Sequence, residues 1–149
     1  MDKLGRCNIL IVEDNEPEAM LTKQLLENSK LNVKVEIIND GDKAIEFIKK
    51  EGEFSEAFDP DLILLDINLP GKNGHQILQE IRKEEQLVAT PVIMLSSSTS
   101  SADIENSYKL GANSYMPKPM NLSELRENIV LIEKFWLHAA KIPLKTSNL

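Results

Sequence analysis

Short apolar runs without polar alternation, Ile9-Leu10-Ile11-Val12, Leu62 to Leu65 and Pro91 to Leu95, constrain this chain more than any other feature. A strand with one wet face would alternate; a run apolar at every position must be covered on both faces. That is the habit of parallel sheets sandwiched between helices. Helical patterns fill the intervals. Pro17 sits where a helix could start, after Asp14 or Asn15 as cap, and Leu21 and Leu25 share a face that Met20 and Leu26 widen. Val33, Val35 and Ile37 alternate as a strand, and Asn39-Asp40-Gly41 turns into a helix carrying Ala44, Ile45, Phe47 and Ile48. Ile77, Leu78 and Ile81 mark a third helix with His75 near its start. Ile104 and Tyr108 mark a fourth, polar helix ending at Gly111. Ser114-Tyr115-Met116 makes a short fifth strand. Leu122, Leu125, Ile129 and Ile132 form a long last helix, capped by Asn121 or Ser123. Strands alternating with helices in this way predict an α/β fold, a doubly wound five-stranded parallel sheet with five helices.

The 149 residues suit one domain with a single core, expected over residues 6–140 with a short tail at 141–149. A net charge of -7, without a Lys/Arg cluster, argues against direct nucleic-acid binding or attachment to an anionic membrane. The lone Cys7 excludes an intrachain disulfide and fits a reducing compartment. His75 and His138 lie far apart and offer no zinc constellation. With no signal-peptide pattern and no run long enough to span a bilayer, a soluble cytoplasmic protein is expected.

The stretch LILLDINLPGKNG poses the functional question, because its buried strand stops on the carboxylate Asp66. An ionised carboxylate is costly to bury, so Asp66 belongs where the strand emerges, and Pro70-Gly71 and Asn73-Gly74 close the strand at once. In a doubly wound sheet the carboxyl ends of the strands converge on a crevice. Glu13 and Asp14 end the first strand, Asp66 the third and Ser96 the fourth, while the fifth runs into Lys118. Three carboxylates there would raise one another's pKa unless a cation neutralised them, and hard oxygen donors favour Mg²⁺. A hydroxyl and an ammonium opposite complete a cradle for a tetrahedral anion. The set suits phosphoryl transfer with Asp66 as nucleophile. Singly, each residue has an ordinary use: Glu13-Asp14 as a cap, Asp66 as the start of a turn, Tyr115 as core filling. Together, at four strand ends in order, they define a site.

At ILIVEDN, LILLDINLPGKNG, PVIMLSS and GANSYMPKP the sequence resembles the receiver domain of two-component response regulators, over essentially its whole length. The resemblance implies a flavodoxin-like sheet of strand order 2-1-3-4-5. It also implies that Asp66 accepts a phosphoryl group from a sensor histidine kinase. Asp14, Asp66 and the Asn68 carbonyl would hold Mg²⁺, with Glu13 acting on the metal through water. Ser96 would bond a phosphoryl oxygen, and Lys118 would pair with the phosphate, helped by a cis bond before Pro119. In the family's switch, Ser96 moves and Tyr115 turns inward, altering the surface of the fourth helix, fifth strand and fifth helix.

The acidic stretch GEFSEAFDPD lengthens the chain before the third strand and is expected to fold down as a small flap. With the ending EKFWLHAAKIPL it resembles the small regulators that partner bacteriophytochrome-type kinases, which implies a dimer on the fourth-helix to fifth-helix face. Phe135-Trp136-Leu137 occupy consecutive helical positions about 100° apart, so at least one should lie outside the core unless the tail covers it. Residues after His138 are too few for an output domain, so an unidentified downstream protein must read the surface. A Mg²⁺-dependent phosphohydrolase would want a general acid/base two residues after the nucleophile, and Asn68 cannot serve. A binding scaffold independent of phosphorylation would have no use for the intact carboxylate, hydroxyl and lysine set.

Overall fold

The structure, a computed structural model, describes residues 6–145. β1 (Cys7–Val12) pairs in parallel with β2 (Val33–Ile38) on one side and β3 (Leu62–Leu65) on the other. β4 (Val92–Ser96) and β5 (Ser114–Pro117) follow, giving the order β2-β1-β3-β4-β5. The connecting helices are α1 (Glu16–Glu27), α2 (Gly41–Lys49), α3 (Gly74–Lys83), α4 (Ser101–Lys109) and α5 (Leu122–Ile132). The expected fold class, strand order and helix series are all observed. None of the helices among the described residues is long and apolar enough to cross a membrane.

The unbroken runs divide their side chains between two cores. Leu10, Val12, Ile63, Leu65, Val92 and Met94 face α2 and α3, packing on Phe47, Ile48, Ile77, Leu78 and Ile81. Ile9, Ile11, Leu62, Leu64, Ile93 and Leu95 face α1 and α5, packing on Leu26, Leu125, Ile129 and Ile132. β1, β3 and β4 are thus buried on both sides for the reason their composition demanded.

The stretch before β3 folds down as expected, but onto α2. Phe54 and Phe58 meet Phe47 edge-on, with ring centroids 5.4 and 5.5 Å apart, so the segment extends the core.

Two helix faces differ from the sequence reading. Met20 is 53% exposed, because the inner stripe of α1 is Ala19, Thr22 and Leu26. Thr22 is tolerated there because its hydroxyl donates to the Glu18 carbonyl at 2.8 Å. Leu122 is 47% exposed, leaving Leu125, Ile129 and Ile132 as the buried face of α5. Asn15 and Asn121, of the alternatives, are the caps of α1 and α5.

Beyond Ile132 the helix widens into a π-helical stretch, Glu133–Ala139, closed by Ala140 N–H on the Phe135 carbonyl. Leu137 is buried, Trp136 half-buried and Phe135 exposed, so one of the three large side chains does remain outside. The tail also returns: Ile142 packs on the same core as Trp136, and the Lys145 N–H donates to Asp61 at 2.8 Å. Of the expected tail, residues 146–149 lie outside the described residues.

Candidate functional site

The sheet register brings the strand ends level. Val12 lies opposite Ile38 and Leu65, Leu65 opposite Met94, and Ser96 opposite Pro117. The ladder bonds continue one residue further: Glu13 N–H donates to the Ile38 carbonyl, Asp66 N–H to Val12, and Lys118 N–H to Ser96, at 3.0, 3.1 and 2.8 Å. Glu13, Asp66 and Lys118 are therefore aimed by β-sheet hydrogen bonds before their side chains do anything. The loop after Asp66 is fixed by close approaches that only glycine permits. A Cβ on Gly74 would lie 2.2 Å from the Asp66 carbonyl oxygen, and one on Gly41 would lie 1.7 Å from the Lys72 carbonyl oxygen.

Carboxylate oxygens of Glu13, Asp14 and Asp66 converge within 4.8 Å of one another. Glu13 and Asp66 are buried, whereas Asp14 is exposed and opens the group to solvent. The donor set is oxygen only, hard and acidic, which fits a divalent cation of the Mg²⁺ kind that keeps part of its water shell. Asn68, exposed, donates its N–H to Asp66 Oδ1 at 3.3 Å.

The positive charge inside the group comes from Lys118. Its Nζ donates to Glu13 Oε1 and Glu18 Oε1, each at 2.8 Å, and to Asp66 Oδ2 at 3.0 Å. Burial pushes the Glu13 carboxyl up to about 7; the hydrogen bonds from Lys118 and the Asn15 N–H oppose this, and the Asp66 charge adds to it. For Lys118 burial works downward, but the hydrogen bonds to Glu13 and Glu18 and the charge of Asp66 outweigh it and raise the pKa. The lysine is thus held firmly as an ammonium, while Glu13 is poised to take up a proton near neutrality.

Ser96, fully buried, and Tyr115, half-buried, meet through the loop between β4 and α4. Ser98 N–H donates to Ser96 Oγ at 3.3 Å, and the Tyr115 hydroxyl donates to the Ser98 carbonyl at 2.8 Å. Ser98 Oγ in turn donates to Asp103 of α4 at 2.6 Å, and the Tyr115 N–H donates to the Tyr108 hydroxyl at 3.1 Å. The expected cis bond before Pro119 is absent, since every peptide bond among the described residues is trans. The trans form is the preferred one for an X–Pro bond, and Lys118 reaches all three carboxylates from it.

The sequence reading missed Glu18, the third partner of Lys118. The available signal was its place four residues after Asp14 in the first turn of α1, where an acidic residue reads equally well as a companion of the helix dipole.

The model of the family described as "Response regulator receiver domain" matches residues 9–130. Response regulator Rcp1 of Synechocystis sp. is 37% identical over 135 residues, covering 91% of this chain and 92% of that protein. Among solved structures, the phosphorylated cyanobacterial phytochrome response regulator RcpA is 41% identical with a TM-score of 0.89, over 93% of this chain and 99% of that one. The Mn²⁺-bound form of Rcp1 is 36% identical with a TM-score of 0.88, over 92% and 99%. Match, fold and strand-end chemistry agree: the chain belongs to the response regulator receiver domain family.

Proposed function

We propose that Asp66 is the phosphoacceptor of a two-component signalling switch and receives its phosphoryl group from a sensor histidine kinase of the phytochrome type. The observation that carries this reading is the convergence on one lysine of Glu13 and Asp66, with Asp14 alongside, at the ends of adjacent strands. Similarity to phytochrome response regulators supports the choice of kinase. An Asp66 carboxylate oxygen attacks phosphorus as the phosphorus–nitrogen bond of the phosphohistidine breaks, and the electron pair leaves on the imidazole. Lys118, held as an ammonium, and Ser96 take up the phosphoryl oxygens. Mg²⁺, when bound, would be held by Asp14, Asp66 and the Asn68 carbonyl, with Glu13 acting through water, and would neutralise charge. The protein so described assists its own phosphorylation and dephosphorylation and turns over no separate substrate; a cytoplasmic location fits it.

Phosphorylation adds roughly -1.5 to -2 charges beside Ser96. Movement of Ser96 is passed to Ser98 and hence to Tyr115 and Asp103, so the surface of α4, β5 and α5 carries the output to an unidentified downstream protein. Asp14→Ala should slow labelling by acetyl phosphate and weaken Mg²⁺ binding together, and EDTA should abolish labelling of the wild type. Equal labelling with and without EDTA would remove the metal from the reading.

A symmetric homodimer on this face is part of the proposal. Leu131 and Phe135 stand exposed four residues apart on α5 and its extension, and large apolar side chains of this kind serve as interface anchors. Light scattering should show a dimer whose strength changes with acetyl phosphate and falls with Phe135→Ala. A wild type monomeric at high micromolar concentration in both states would exclude it.

A further inference from the structure

Lys118 is saturated. An ammonium has three N–H donors, and all three are spent on Glu13, Glu18 and Asp66 at 2.8, 2.8 and 3.0 Å. A phosphoryl group on Asp66 brings three strong acceptors to this ammonium, so any bond beyond the one Asp66 already holds must come from another partner. The three differ in what release would leave behind. Asp66 is the carboxylate that carries the phosphoryl group. The Glu13 side chain is 6% exposed and its other oxygen is held by the Asn15 N–H at 3.0 Å, so releasing it would strand a buried carboxylate. The Glu18 side chain is 23% exposed and sits in the first turn of α1, where water and the helix N-terminus both receive a freed carboxylate.

We infer that Glu18 is a positioning residue that holds Lys118 in the resting site and is displaced from it by the incoming phosphoryl group. Glu18 thereby competes with the phosphoryl oxygens for the same N–H and adds a negative charge that the phosphorylated state must tolerate. The ion pair is a clamp on the unphosphorylated form, so removing Glu18 eases entry to the phosphorylated one. This rests on the reading of Asp66 as phosphoacceptor.

The test is binding of beryllium trifluoride, a tetrahedral mimic of the phosphoryl group, in the presence of Mg²⁺ and followed by ¹⁹F NMR on the full chain. Glu18→Gln should lower the half-saturating concentration by about fivefold, the size expected for a partly exposed ion pair. Glu18→Ala, which leaves no acceptor at all, should lower it by at least as much. The advantage of both variants should shrink between ~0.05 M and ~0.5 M NaCl, because salt screens an exposed charge. A purely structural role for Glu18 would not produce that salt dependence. Half-saturation equal to or weaker than wild type in both variants, with the wild type binding normally, overturns the role of Glu18 alone. A wild type that fails to bind the mimic, or an Asp66→Asn that still binds it, overturns the phosphoacceptor reading instead.

Discussion

Lys118→Met should lower the stability of the metal-free protein by about 3 kcal/mol at pH 8, the usual cost of removing one partner from a buried ion cluster. The side chain is 8% exposed and faces carboxylates of 6%, 6% and 23% exposure, so solvent relieves little of the loss. The deficit should be smaller at pH 6. Glu13 already has a carboxyl pushed up to about 7 by burial, and loss of the ammonium pushes it further. A carboxyl whose folded pKa exceeds its unfolded value binds more protons when folded. Its favourable contribution is present in acid and is lost as pH rises through the folded pKa. Urea unfolding of wild type and variant in EDTA at both pH values measures this. A variant as stable as wild type at pH 8 would mean that the three carboxylates do not depend on the lysine.

The experiment also separates two uses of the same cation. In the resting site Lys118 neutralises carboxylates, and in the proposed phosphorylated state it pairs with the phosphoryl group. The first is a stability effect visible without any phosphodonor. The second is visible only with one.

The strand ends were legible in the sequence because burial on both faces leaves a composition that cannot be mistaken for an amphipathic element. Glu13, Asp14 and Asp66 follow directly from that, and the register of the half-buried β5 brings Lys118 beside them. The helices were less transparent. The inner stripe of α1 contains Thr22, which hydrophobicity alone assigns to the surface, whereas the structure buries it with its hydroxyl bonded to the Glu18 carbonyl. The sorting of Phe135, Trp136 and Leu137 depends on a change from α to π winding, a backbone choice that no side-chain pattern announces. The bond from the Lys145 backbone N–H to the buried Asp61 spans 84 residues of sequence, and a backbone donor leaves no mark in the side-chain pattern. Glu18 was hidden by sequence distance, since its partner lies 100 residues away.

The loop network from Ser96 to Tyr115 falls between these cases. The serine-rich segment and the aromatic were both visible in the sequence. Their connection through the Ser98 carbonyl is a backbone contact, and only the fold supplies it. Tyr115 is already half-buried with its hydroxyl bonded, so the proposed switch acts on an anchored ring and must move the loop that anchors it.

Everything proposed for this protein passes through one carboxylate, and intact-mass spectrometry after incubation with acetyl phosphate and Mg²⁺ tests it most directly. The wild type should gain a single phosphoryl group, which peptide mapping should place on Asp66. Asp66→Asn should gain none, because the amide keeps the shape of the side chain but has no anionic oxygen to attack phosphorus. Labelling of Asp66→Asn at another aspartate to the wild-type extent would contradict the account.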